Sequence, residues 1–209
     1  MFVERPPLVY RCLYKDAVWR AARYNDAGQP LVYLTIDDGP TPESTPGVLD
    51  ILRRHNVPAV FFMVADNARR YPALFAAVKA AGHAVGNHTC HHLQGLFVTR
   101  RRYMADVAAA AEILGPTRFF RPPHGLMRRT QYKAVSRTYR VVMQDIVSRD
   151  YDRTLTPERV IRNVTSNVRP GSVIVFHDSE KSASNVLNAL EPTIIALREM
   201  GYCFALLND

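Results

Sequence analysis

Asp37 and Asp38 stand side by side at the end of the apolar run Pro30 to Ile36, and Gly39-Pro40 follows at once. Two adjacent carboxylates repel each other unless a cation or a basic side chain lies close. One of them could hold a metal while its neighbour handles a proton. The same residues also suit an ordinary Asp-Gly-Pro turn, in which the aspartate bonds its own backbone. The pair therefore needs support from elsewhere in the chain.

That support begins at His88-Thr89-Cys90-His91-His92, which holds three of the chain's seven histidines. His88 and His92 have the four-residue spacing that aligns two imidazoles on one helical turn, as in paired metal ligands. Asp38 would supply a third ligand and leave one position open, the pattern of a catalytic rather than a structural ion. His91 is out of that register. So is Cys90, although a soft thiolate there would rival the Asp-His-His set, and a histidine-rich surface turn is the alternative without any metal. Further on, Pro122-Pro123 and Gly125 make a stiff turn that can aim Arg121 inward, or simply stiffen a loop around a solvated arginine. His177 ends the otherwise apolar run Ser172 to Phe176. A lone histidine on such a strand is usually a hydrogen-bonded core residue.

Elements must position these groups, and the spacing of apolar residues predicts them. The β-branched and aromatic run before Asp37 reads as a buried strand that Gly39-Pro40 stops. Further strands are predicted at 59–64, 83–87, 118–121, 141–146, 172–177 and 202–207. Helical spacing alternates with them at 45–55, 68–81, 99–114, 128–138, 157–168 and 185–200. About seven strands alternating with helices imply a parallel sheet with helical crossovers. Asp37, Asp38, the His88 region, Arg121, Asp150 and His177 all fall at strand C-termini, which converge on one face only if the sheet curls. The expected fold is therefore an α/β single-domain distorted (β/α) barrel. Residues 1–28 read as an N-terminal extension packed on it and 29–209 as the domain itself.

Composition narrows the partners. The chain has 209 residues, 47% of them hydrophobic, with no low-complexity stretch, enough for one full core. The first residues carry charges and a proline pair where a signal peptide needs an apolar stretch, and no run is long enough to span a membrane. Neither an export signal nor membrane insertion is expected from them. Three scattered cysteines, Cys12, Cys90 and Cys203, argue for buried thiols rather than a disulfide framework. A formal net charge of +8 suits an anionic partner. Its visible clusters, Arg100 to Arg102 and Arg128-Arg129, sit at predicted helix starts and read as solvated faces, so no nucleic-acid partner is expected.

Five segments in order, TIDDGP, HTCHH, RPPHG, DIVSRDY and VFH, give the chain a clear family likeness. It resembles the polysaccharide deacetylases of carbohydrate esterase family 4 over nearly its whole length. The resemblance implies that Asp37 is the general base, that Asp38, His88 and His92 bind one divalent metal, and that His177 is the general acid. It also implies that Arg121 pairs with the base, that Asp150 pairs with the acid, and that the backbone N–H of His124 stabilises an oxyanion. Tyr151, Val175 and His124 would help line the substrate pocket. An Asp-His-His set suits Zn²⁺ and would also accept Co²⁺, Ni²⁺ or Fe²⁺.

The implied reaction is removal of N-acetyl groups from glycans containing N-acetylglucosamine. An O-acetyl esterase acting on a polysaccharide such as xylan, or a catalytically silent glycan-binding domain, are the competing readings. The family mostly works on the cell wall or outside the cytoplasm. This chain departs from the family pattern around the pocket. Ile36 replaces a Phe, His124 a Tyr or Phe, Val175 a Leu, and Gln144 and Tyr151 stand where Trp is usual.

Overall fold

In a computed structural model of the protein, residues 4–207 are described. The chain runs α1 (Leu8–Leu13), β1 (Leu31–Asp38), α2 (Thr45–Arg54), β2 (Ala59–Met63), α3 (Ala65–Arg70), α4 (Pro72–Ala80), β3 (Ala84–Asn87) and α5 (Arg100–Leu114). It continues through β4 (Phe119–Phe120), α6 (Arg129–Val135), β5 (Arg140–Val141), β6 (Ile146–Val147), α7 (Pro157–Thr165), β7 (Ser172–His177), α8 (Ala183–Glu199) and β8 (Cys203–Phe204).

β1 shows why the sheet is central. Successive side chains of a strand alternate between faces. Val32, Leu34 and Ile36 pack into one cluster with Val48, Ile51 and Leu52 of α2, Val160 and Val164 of α7, and Leu190 and Ile194 of α8. Tyr33 faces the other way, among Val60, Phe62, Val142 and Val173. Both faces are covered, as a parallel sheet requires. Each such fully buried side chain stabilises the fold by about 1.5–3 kcal/mol relative to exposure.

The strand order is β5-β4-β3-β2-β1-β7-β6, every pair is parallel, and β8 pairs with the first residues of β1. The curled sheet is the expected distorted barrel. It stays open between β5 and β6, and the N-terminal stretch lies along that seam. Val18 bridges Val142, and Met143 and Val147 donate backbone N–H groups to Val18 and Glu4. Residues 1–3 of the expected extension lie outside the described residues.

Several expected boundaries shift for local reasons. The helix expected at 68–81 is two helices, because Pro72 lacks an N–H and starts a new one directly after Tyr71. The strand expected at 141–146 divides into β5 and β6 around a stretch containing Asp145, whose fully buried carboxylate binds Arg169, Ser172 and Arg11. α1 has no counterpart among the expected elements. Of the cysteines only Cys90 is buried, while Cys12 is exposed.

Candidate active site

The inner face of β1 reads Tyr33, Thr35, Asp37, passing from the apolar interior to the open end of the barrel. Strict alternation would turn Asp38 away from Asp37. Instead Asp38 has φ 83°, a left-handed conformation that swings its side chain back toward the cleft. Its carbonyl is held there by Val64 N–H and Asn67 Nδ2. Of the six described non-glycine residues with positive φ, five lie in these loops: Asp38, Thr89, His92, His124 and Arg149. Such conformations cost of order 1–3 kcal/mol each and persist where the surroundings over-determine them.

His88 and His92 do come together with Asp38, but not on a helical turn. Residues 88–92 form a loop after β3, bent by the positive φ of Thr89 and His92. Asn87 shapes that loop, its Oδ1 accepting from Thr89 N–H and its Nδ2 reaching the Val107 carbonyl. One ligand atom from each of Asp38, His88 and His92 lies within 4.8 Å of the others. His92 Nε2 is 3.2 Å and His88 Nε2 3.7 Å from Asp38 Oδ1.

Protonation suits this set for a cation. His88 donates Nδ1–H to the Arg121 carbonyl at 2.7 Å, which leaves Nε2 as the coordinating nitrogen. Burial pushes His88 down to about 4, against the opposing pull of Asp37, so its ring is neutral. Burial alone would raise Asp38, yet the hydrogen bond from His92 and the nearby charge of His177 hold it well below the usual carboxylate range. The residues thus fit one divalent ion. His91 turns away to pair with Asp106 at 2.5 Å, and Asp106 also accepts from the backbone of Cys90 and His91. That carboxylate pins the loop from α5, and nothing in its helical surroundings marks it in the sequence.

Asp37 and His177 flank the set, each with a buried partner. Arg121, only 1% exposed, places Nη1 2.5 Å from Asp37 Oδ1 and 2.8 Å from Thr35 Oγ1. Its other nitrogens reach the carbonyls of Val142 and Met143, and its guanidinium lies 4.1 Å from the centre of the Phe62 ring. His177 donates Nδ1–H to Asp150 Oδ1 at 2.7 Å, and its backbone N–H reaches Asp150 Oδ2. Nε2 remains for whatever enters the cleft. Burial would lower His177, but the carboxylate of Asp150, with Asp38 and Asp37 behind it, pushes it up to about 9.

A cleft of about 480 Å³ opens over these groups. Asp37, Asp38, His88, His92, His124, Tyr151, Val175 and His177 all line it, while Arg121 and Asp150 lie behind. His124 has φ 58°, and its N–H takes no part in the turn's own hydrogen bonds, which run from Gly125 to Pro122 and from Leu126 to Pro123. Gln144 also lines the cleft, and its buried Oε1 finds no hydrogen-bond partner among the described residues. Pro6, Tyr10 and Trp19 from the N-terminal stretch form part of the wall. Their part is set by the way that stretch crosses the barrel seam, and no motif announces it.

A metal-ready triad between a buried Asp–Arg pair and a protonated His–Asp pair is the equipment of a hydrolytic enzyme. The polysaccharide deacetylase family pattern matches residues 24–142. The chain is 33% identical over 183 residues to a peptidoglycan-N-acetylglucosamine deacetylase of Bacillus cereus, covering 84% of this chain and 66% of the relative. It is 33% identical over 192 residues to a chitooligosaccharide deacetylase of Azorhizobium caulinodans, covering 86% and 90%. A solved peptidoglycan N-acetylglucosamine deacetylase, bound to 4-naphthalen-1-yl-N-oxidanyl-benzamide, superposes with a TM-score of 0.85 at 32% identity, over 97% of this chain and 95% of that one. The chain belongs to the polysaccharide deacetylases of carbohydrate esterase family 4.

Proposed function

We propose that the protein is a metal-dependent N-deacetylase of glycans containing N-acetylglucosamine, releasing acetate and a free amino sugar. One observation carries this reading: the cleft presents two proton carriers across the triad, Asp37 paired with the buried Arg121 guanidinium and His177 paired with Asp150, which raises it to about 9. Hydrolysis of an amide needs both, because water must lose a proton to attack and the amine must gain one to leave. The B. cereus relative is named a peptidoglycan-N-acetylglucosamine deacetylase and the A. caulinodans relative a chitooligosaccharide deacetylase, and both names support the substrate class.

Asp38, His88 and His92 would hold the ion, with Zn²⁺ best suited to that donor set. Such an ion acts as a Lewis acid on the acetyl carbonyl and on water. Asp37 takes the proton of the attacking water. The backbone N–H of His124 donates to the carbonyl oxygen as negative charge builds on it, an interaction worth most where water is excluded. His177 then gives its Nε2 proton to the departing nitrogen, and Asp150 keeps the ring oriented throughout. Val175 and Tyr151 wall the space beside these groups.

Acetate release from chitooligosaccharides, peptidoglycan and acetylated xylan, with and without added metal, tests the proposal. Turnover of the first two is expected, stopping with chelator and falling about 10²–10⁴-fold in Asp37→Asn. Release from none of them by metal-loaded protein would overturn it, and release from acetylated xylan alone would replace it with an O-acetyl esterase.

A further inference from the structure

Of the 27 lysines and arginines in this basic chain, Lys181 alone is among the described residues that line the cleft. It sits four residues beyond His177, in the turn leading into α8. Arg153 anchors the turn by donating to the carbonyls of Glu180 and Lys181 at 3.4 and 3.3 Å. The ammonium lies 5.5 Å from the centre of the Tyr151 ring, and that ring packs edge-on against His177 with centroids 4.9 Å apart. The cation is therefore held one aromatic ring away from the proposed acid. Among the described residues it forms no ion pair with a carboxylate of this chain, and neighbouring Glu180 does not line the cleft.

A neutral glycan gives such a cation nothing to neutralise. Building on the deacetylase reading, we propose that Lys181 binds a carboxylate carried by the sugar next to the N-acetylglucosamine being deacetylated. Lys181 is thereby a specificity-determining residue, favouring glycans that alternate N-acetylglucosamine with an acid-bearing sugar over neutral chitooligosaccharides. Lactyl ethers of the N-acetylmuramic type carry that acid on the neighbouring ring. Lys181 is exposed at the mouth of the cleft, and its ammonium lies over the Tyr151 face, which places the charge beside the path a bound glycan would take.

Three tetrasaccharides separate the possibilities: one of alternating N-acetylglucosamine and N-acetylmuramic acid with free lactyl acids, the same compound with those acids converted to carboxamides, and chitotetraose. Metal-loaded wild type is expected to show a KM for the acid roughly fivefold below that for its carboxamide, the scale of one partly solvated ion pair. Lys181→Gln should erase this gap and Lys181→Arg keep it. In wild type the gap should also close as ionic strength rises, since exposed charges are screened. A wild type that treats acid and carboxamide alike, a gap that survives in Lys181→Gln, or a gap indifferent to salt would each overturn the proposal. If none of the three compounds releases acetate, the deacetylase reading fails separately. Calorimetric binding of acid and carboxamide to Asp37→Asn and to Asp37→Asn/Lys181→Gln then decides the role of Lys181 by the same gap.

Discussion

Arg121 sets two parts of the site at once. Its guanidinium holds Asp37 and its carbonyl accepts from His88, so a change there reaches both a carboxylate and an imidazole. Replacing Arg121 by Met leaves Asp37 buried without its counter-charge, a loss that costs about 3–5 kcal/mol where one partner of a buried pair is removed. Urea denaturation should show that drop, and an unchanged midpoint would mean that Asp37 is neutralised some other way. His177 makes a separate prediction. A base whose folded value is raised keeps its proton further into alkali, and the stability of its pair is full below the ordinary value and lost as pH rises through about 9. NMR titration of the metal-free protein should find the His177 ring changing charge near 9 in wild type. In Asp150→Asn, where burial acts with less opposition, the transition should fall by more than one unit. Asp37, Asp38, Asp150, His88, His92 and His177 were legible as residue types at strand ends. Asp106 and Lys181 were not, because an acidic residue on a helix and a lysine in a turn look like solvent-facing groups until the fold shows what they face.

At the scale of elements, Asp145 does the joining. It sits between β5 and β6 and binds Arg11 of α1, Arg169 in the loop before β7 and Ser172 at the start of β7. Burial would raise its carboxyl, but Arg169, Ser172 and Arg11 together lower it. A lowered carboxyl contributes stability that is complete above its unfolded value of about 3.9 and is lost as pH falls below that through the folded value. Asp145→Asn should cost about 3 kcal/mol at neutral pH, the low end for a broken buried pair because both arginines are partly exposed. Its stability should also fall less steeply than wild type's between pH 4 and pH 2, which thermal melts across that range would show. Most helices and strands were readable from periodicity, since their apolar faces must be buried. α1 was not. Its outer residues Leu8, Val9 and Leu13 are exposed, so the apolar spacing that marks a buried helix is absent. His88 and His92 do come together, though not on the helical turn their spacing suggested, because positive φ at Thr89 and His92 bends a loop to do what a helical turn would otherwise do.

For the whole molecule, the proposed ligand set draws on separate segments. Asp38 ends β1 while His88 and His92 follow β3, and β2 lies between them in the sheet. An ion bound only by the folded chain therefore stabilises the entire fold by mass action, by about 2.7 kcal/mol at a hundredfold excess over Kd. Thermal melts should rise by about 5–10 °C with added Zn²⁺ for a chain of this size. The rise should vanish in Asp38→Asn and in His88→Ala, and a rise of equal size in those variants would place the ion elsewhere.

The sequence by itself determined the alternation of strands and helices, the residue types at the strand ends and their order, because burial and turn chemistry are local and leave periodic traces. Only the tertiary structure decided which strand ends meet, that Asp38 turns back beside Asp37, that the N-terminal stretch lies along the open seam, and that Lys181 overlooks the cleft. Those outcomes depend on the curl of the sheet and on contacts between residues far apart in the chain, where spacing carries no record.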